Sequence, residues 1–78
     1  MRTYTHGMER VRELIFEVRE EPDGGYIARA LGESIYVEAD DRRQLESEIR
    51  DAVECHYEAD SRPSLVRLHF VRDEVLAL

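Results

Sequence analysis

The feature that most constrains this chain is the segment 40–58, whose apolar side chains recur at helical spacing. At about 100° per residue, that spacing gathers them on one side of an amphipathic helix. The stripe consists of Leu45, Ile49, Ala52, Val53, His56 and Tyr57. Asp41, followed three residues later by Gln44, matches a capping box and predicts a helix over residues 42–58. The rest of the chain has to supply the surface that this stripe covers.

Alternating apolar and polar residues predict four strands around the helix. They are expected from Glu13 to the Pro-Asp-Gly-Gly turn within residues 21–25, then over residues 26–31, 34–38 and 64–71. Three consecutive strands form an antiparallel meander, and a right-handed crossover through the helix places strand four beside strand one. The predicted fold is therefore α+β, in the order β-β-β-α-β. Its four-stranded sheet is mostly antiparallel, with order 3-2-1-4 and one helix on one face.

The chain has 78 residues, which suffices for one domain that buries only roughly 60% of its unfolded surface. We expect residues 1–10 to form a flexible polar arm and residues 11–78 to form the domain. The apolar stretch 75–78 is expected either to fold back onto the domain or to meet another subunit. A protein this small gains stability from any partner that covers apolar surface.

Acidic residues outnumber basic ones by 18 to 11, and every basic residue is arginine. A net charge of -7 argues against sequence-independent nucleic-acid binding, which draws its affinity from neutralising phosphates. It favours a basic protein partner, although acidity also serves simply to keep a protein in solution. Cys55 is the single cysteine and cannot form an intramolecular disulfide, which indicates a reducing, cytoplasmic setting. No apolar run is long enough to span a membrane.

One helix covers one face of a sheet, so the other face is a candidate partner interface. The residues expected beneath the helix are Leu14, Phe16, Val18, Ala28, Ala30, Ile35 and Val37. The interface residues expected on the opposite face are Ile15, Ile27, Arg29, Leu31, Tyr36 and Leu65. An apolar patch of this size indicates a binding surface, unless residues 75–78 or the N-terminal arm cover it.

Two short motifs carry a family resemblance. They are Gly25-Tyr26-Ile27-Ala28 at the start of the second strand and Glu48 with Ala52-Val53 in the helix. With the predicted strand order, they give residues 13–72 a pattern that resembles the HicB-like antitoxins. The resemblance implies a partly formed ribonuclease-H-like fold without the C-terminal DNA-binding domain that some members carry. It also implies neutralisation of a small basic mRNA-cleaving toxin of the HicA type by covering the toxin's active surface.

The sequence offers little catalytic chemistry. Active ribonuclease-H-like enzymes gather several carboxylates around metal ions, whereas here Glu17 and Glu48 alone are suitably placed. His56 is expected to be a neutral core histidine rather than a metal ligand, and Cys55 a small buried thiol rather than a nucleophile. We therefore expect no catalytic, cofactor or metal site. The leading hypothesis is an antitoxin-type interaction domain, and the alternative is an orphan homo-oligomeric scaffold without a toxin.

Overall fold

The computed structural model describes residues 12–78, which form one four-stranded sheet and one helix. The elements are β1 (Glu13–Glu20), β2 (Tyr26–Ala30), β3 (Tyr36–Ala39), α1 (Arg42–His56) and β4 (Leu65–Val71). The sheet order is β3-β2-β1-β4, with β2 antiparallel to both β1 and β3 and β4 parallel to β1. The predicted α+β class and strand order are confirmed. The predicted arm at residues 1–10 lies outside the described residues.

The β1–β2 hairpin explains the glycine-rich start of β2. Its turn is closed by a 2.9 Å hydrogen bond from the Gly24 amide to the Glu21 carbonyl, and Gly24 adopts a φ of +100°, which favours glycine. Gly25 is needed for a different reason, because a Cβ there would lie 3.0 Å from the Ala39 carbonyl oxygen. Ala28 is fully buried. The Gly-Tyr-x-Ala motif therefore serves the fold.

Helix α1 begins as the capping box predicts. Asp41 Oδ1 accepts a 2.8 Å hydrogen bond from the Gln44 amide, while Gln44 Oε1 accepts one of 2.6 Å from the Asp40 amide. The helix ends at His56, two residues earlier than predicted, because Tyr57 is extended and Arg62 donates to the carbonyls of Glu54 and Tyr57 at 3.4 Å. A cation at a helix C-terminus satisfies unpaired carbonyls and favours this end point.

The core lies between α1 and the helix-facing side of the sheet. Phe16, Val18 and Leu45 are its largest fully buried side chains. The seven sheet residues predicted to lie beneath the helix are all buried, although Ile35 belongs to the turn before β3 rather than to the strand. From α1, the buried residues are Leu45, Ile49 and Val53. Alternation in the strands and the helical stripe thus identified the core.

Two predictions about the helix side chains were wrong. Cys55 is exposed, and the His56 side chain is 36% exposed, so neither belongs to the core. His56 occupies the last turn of α1, where its Nε2 lies 3.4 Å from Glu33 Oε1 in the exposed β2–β3 turn. The apolar stripe of the helix includes His56 in the sequence. At that position, however, the helix faces the exposed β2–β3 turn rather than the sheet. Neither side chain is therefore enclosed.

Helix α1 covers only part of the sheet face on which it lies. It packs against β3 and, less extensively, β2, and within residues 12–78 its backbone does not closely approach β1 or β4. Four strands span roughly 14 Å between the outer strand axes, whereas a helix is only about 10 Å wide. Within the same residues, the helix-facing side of β4 is consequently covered only in part. As for membranes, no helix in the described part of the chain has the length and apolar character needed to cross one.

Candidate interaction surfaces

The six predicted interface residues lie on the sheet face opposite α1, which we call the open face. Alternation along the paired strands places five of them there: Ile15, Ile27, Arg29, Tyr36 and Leu65. Leu31 directly follows β2, and its amide donates a 2.8 Å hydrogen bond to the Ile15 carbonyl. Leu31, Tyr36 and Leu65 are each more than half exposed, at 51%, 58% and 53%. Ile15 and Ile27 are half-buried between their neighbours. The open face therefore presents large apolar side chains to solvent.

Charged side chains interrupt the apolar residues of the open face. The acidic Glu13, Glu17 and Glu38 share this face with the basic Arg19, Arg29 and Arg67. Arg67 Nη2 lies 2.7 Å from Glu13 Oε2, and Arg19 Nε lies 3.7 Å from Glu17 Oε1. Such exposed pairs contribute little to stability, but they leave the face nearly neutral. The net acidity of the chain is therefore located elsewhere.

Part of that acidity borders the open face at the hairpin end of the sheet. An open depression of about 380 Å³ is lined there by Glu21, Asp23, Glu38 and Asp40, together with neighbouring residues that include Ile27. We call these four carboxylate residues the acidic rim. Because Ile27 and Glu38 also belong to the open face, the rim and the face are contiguous. A ligand lying on the open face can reach the acidic rim without crossing the helix.

Tyr36 is the most exposed aromatic residue on the open face. Its hydroxyl donates a 2.9 Å hydrogen bond to Glu38 Oε2. This hydrogen bond stabilises the neutral phenol and is the main reason why the pKa of Tyr36 is raised above its ordinary value. Arg29 is the neighbour of Tyr36 across the β2–β3 pair. Tyr36 therefore offers a partner both an exposed aromatic ring and a hydroxyl whose position the hydrogen bond restricts.

The candidate chemical residues are not brought together. Glu17 lies on the open face, whereas Glu48 is exposed on α1, which packs against the other side of the sheet. Within residues 12–78, no group of three or more His, Cys, Asp or Glu side chains could hold a metal ion.

His56 stacks edge-to-face on Tyr57, with the ring centroids 4.9 Å apart. Partial burial, followed by the negative charge of Glu33, raises the pKa of Tyr57.

Sequence reasoning missed a second apolar surface, on the helix-facing side of β4. We call it the β4 shelf; it consists of Val66, Leu68 and Phe70. Val66 and Phe70 are 38% and 42% exposed, and an open groove of about 280 Å³ separates Val66 and Leu68 from Ile49 of α1. The register of β4 against β1 places these residues on the helix-facing side, which the sequence analysis did not assign. One helix is too narrow to cover four strands, but the sequence pattern does not show which strands it leaves exposed.

Arginines border the β4 shelf. The Arg42 guanidinium carbon lies 4.4 Å from the centroid of the Phe70 ring, and Arg50 lines the groove beside Glu46. Tyr26 meets Phe70 edge-to-face, with the centroids 6.3 Å apart. The aromatic contacts hold Phe70 at one end of the shelf, and the arginines give the surface a basic border.

The apolar stretch 75–78 does not fold back onto the domain. Val75 is 92% exposed, Leu76 76% and Leu78 119%. The first of the two alternatives for this stretch is therefore wrong, while contact with another subunit stays a prediction. Before the stretch, Arg19 Nη1 lies 3.4 Å from Asp73 Oδ2, which ties the chain after β4 to the open-face side.

Two relatives match most of the chain. A UPF0150 protein of Archaeoglobus fulgidus is 48% identical over 63 residues, which cover 81% of this chain and 92% of the relative. A UPF0150 protein of Thermotoga maritima is 37% identical over 71 residues, which cover 91% of this chain and all of the relative. No family model matches the chain. No solved structure matches it either.

Proposed function

The chain belongs to the UPF0150 family, and we propose that it is a HicB-like antitoxin-type interaction domain. It acts in the cytoplasm and neutralises a small, basic, mRNA-cleaving toxin of the HicA type by occluding the toxin's active surface. The observation that carries this proposal is the open face, on which Leu31, Tyr36 and Leu65 are each more than half exposed. The motifs that resemble the HicB-like antitoxins support the same reading.

The distribution of charge supports a basic partner. The open face itself is nearly neutral, so apolar contact there carries no large cost of burying unpaired charge. The adjoining acidic rim supplies negative charge at the border. Interfaces commonly combine an apolar centre with a polar border, and complementary charges accelerate encounter and reject wrong partners. A basic toxin that covers the open face would place its cationic residues over this rim.

Tyr36 is the residue that we expect to dominate such a contact. Tyrosine is enriched among the few interface residues that carry most of the binding energy. Its hydrogen bond to Glu38 already orders the side chain, which reduces the entropy lost on binding. In this mechanism the chain performs no chemistry of its own, because covering the toxin suffices.

The test is co-expression with the small basic protein encoded in an adjacent reading frame. We expect the wild-type chain to rescue growth and to be recovered in a complex with that protein. Tyr36→Glu introduces a charge among the exposed apolar residues of the open face, on the edge strand β3, and should abolish both rescue and recovery. Phe70→Glu is the matched control, because it changes an aromatic residue on the other side of the sheet and should leave both intact. Absence of a complex with the wild-type chain would contradict the proposal.

The alternative function is an orphan homo-oligomeric scaffold without a toxin. The exposed stretch 75–78 favours it. Single exposed apolar residues are common on protein surfaces, but here several apolar residues close together in sequence are largely exposed. Under this alternative, self-association persists where no neighbouring basic protein is encoded, and Tyr36→Glu splits the oligomer if the open face is the contact. Binding of the neighbouring basic protein separates the two functions, because self-association alone is compatible with both.

A further inference from the structure

Within residues 12–78, the structure leaves two apolar surfaces of the same chain exposed. One is the β4 shelf on the helix-facing side, and the other is the stretch 75–78. We infer that the chain forms a two-fold dimer in which residues 74–78 of each copy dock into the groove between α1 and the β4 shelf of its partner. This inference does not depend on the toxin proposal, which uses the open face.

Docking within one copy is opposed by where the chain leaves the sheet. Arg19 lies on the open face, and its Nη1 lies 3.4 Å from Asp73 Oδ2, so the chain leaves β4 on that side of the sheet. The β4 shelf lies on the opposite, helix-facing side. The stretch 75–78 accordingly stays exposed in the single copy. A second copy carries no such restriction, because its shelf can approach the stretch from outside.

The groove has a size that fits aliphatic side chains. Its volume is about 280 Å³, and its apolar lining is Ile49, Val66 and Leu68. A protein cavity of roughly 150 Å³ holds a benzene molecule, so this groove accommodates one or two leucine-sized side chains. Most small-molecule sites are larger, at roughly 300–1,000 Å³, and carry convergent polar groups. We therefore assign the groove to the alternating side chains of an extended segment.

The charges beside the two surfaces are complementary at the Phe70 end of the shelf. Arg42 lies over the Phe70 ring there, whereas Arg50 lines the groove beside Glu46, which balances its charge. The docking segment begins with Glu74 immediately before its apolar residues, and β4 itself contains no acidic residue. Glu74 of one copy therefore approaches Arg42 of the other as the apolar residues enter the groove. This complementarity allows two acidic chains to associate despite a net charge of -7 each.

A reciprocal exchange accounts for both exposed surfaces at once. Each copy donates one segment and accepts one, so the interface is isologous and closes into a dimer rather than a filament. Two equivalent docking events in one complex also reinforce each other, because the second occurs at a high effective concentration. The open faces of both copies remain available to other partners.

The experiment measures the oligomeric state of the full chain by sedimentation equilibrium from about 1 µM to about 1 mM. We expect a monomer–dimer equilibrium for the wild type. Leu76→Glu changes the segment and Val66→Glu changes the shelf, and each should raise the dimer dissociation constant at least about tenfold. Leu65→Glu is the matched control, since it places the same charge on the open face of the same strand and should leave dimerisation unchanged.

A mixing experiment then tests the reciprocal contact. Val66→Glu retains an intact segment and Leu76→Glu retains an intact shelf, so the mixture should form a heterodimer more tightly than either variant forms a homodimer. Circular dichroism establishes whether each variant is folded. If Val66→Glu does not fold, the effect of Leu76→Glu on the dimer dissociation constant still tests the inference. A monomeric wild type over the whole concentration range overturns the inference. So does a dimer that Leu65→Glu dissociates and Leu76→Glu does not.

Discussion

At the scale of single residues, hydrogen bonds at the start of α1 and on the open face fix local geometry. Asp41 accepts from the Gln44 amide, and Gln44 accepts in turn from the Asp40 amide, one position before the N-cap. The sequence pattern predicted this box because the chemistry is entirely local. It did not predict the environments of Cys55 and His56, since those depend on which distant segments lie opposite the last helical turn. Local patterns determine caps, while burial requires the assembled fold.

The N-cap gives the first prediction. Asp41→Ala removes the acceptor for the Gln44 amide and should lower the free energy of unfolding by about 1 kcal/mol. Urea denaturation followed by circular dichroism measures the change. Asp41→Asn keeps an acceptor and should be close to wild type, and Asp40→Ala should also have a small effect because only its backbone amide bonds to Gln44. Equal losses for Asp41→Ala and Asp41→Asn would rule out the hydrogen bond as the cause.

Tyr36 gives a prediction about pH. In the folded protein, its hydrogen bond to Glu38 raises the pKa of the Tyr36 phenol above the ordinary value of 10.0. Folding therefore favours the protonated phenol, and this contribution to stability is fully present below the unfolded pKa. It is lost as the pH rises through the folded pKa. Following the Tyr36 ring by NMR titration, we expect Glu38→Gln to lower its pKa; an unchanged value would show that Glu38 is not responsible.

At the scale of elements, the sheet was predictable and its coverage was not. Alternation, turn residues and the right-handed crossover rule fix the order β3-β2-β1-β4 without any long-range information. Coverage depends on lateral position, because a helix about 10 Å wide can lie over either pair of strands. Here α1 lies over β3 and β2. The stripe in α1 is equally compatible with other positions, so the β4 shelf could not be located from the pattern.

The contact between α1 and the sheet gives a prediction about stability. Leu45 is a fully buried residue of α1 that faces the sheet. Leu45→Ala should lower the free energy of unfolding by about 2–5 kcal/mol, because apolar burial is lost and a cavity is left behind. Leu65→Ala makes the same chemical change at a site that is 53% exposed and should cost about 0.5 kcal/mol or less. Urea denaturation at one protein concentration compares the two. Similar losses would show that α1 is not anchored through Leu45.

At the scale of the whole molecule, the open face and the β4 shelf lie on opposite sides of one sheet. The open face, with its acidic rim, fits a basic partner, while the β4 shelf and the stretch 75–78 fit a second copy. Since the two surfaces do not overlap, a dimer with both open faces occupied is sterically consistent. We expect a complex of two chains with two toxins, measurable by light scattering coupled to size exclusion. Leu76→Glu should convert it to one chain with one toxin, whereas loss of toxin binding in that variant would show that the surfaces are coupled.

The position of β4 at the edge of the sheet has a kinetic consequence. β4 is joined to the sheet along one edge only, and α1 does not lie over it within residues 12–78. Local opening costs least where few apolar contacts must be broken, so β4 should detach more often than β1 or β2 while the remainder stays folded. Its amides should accordingly exchange with solvent deuterium sooner than theirs, and dilution should speed that exchange further if the second copy holds the strand in place.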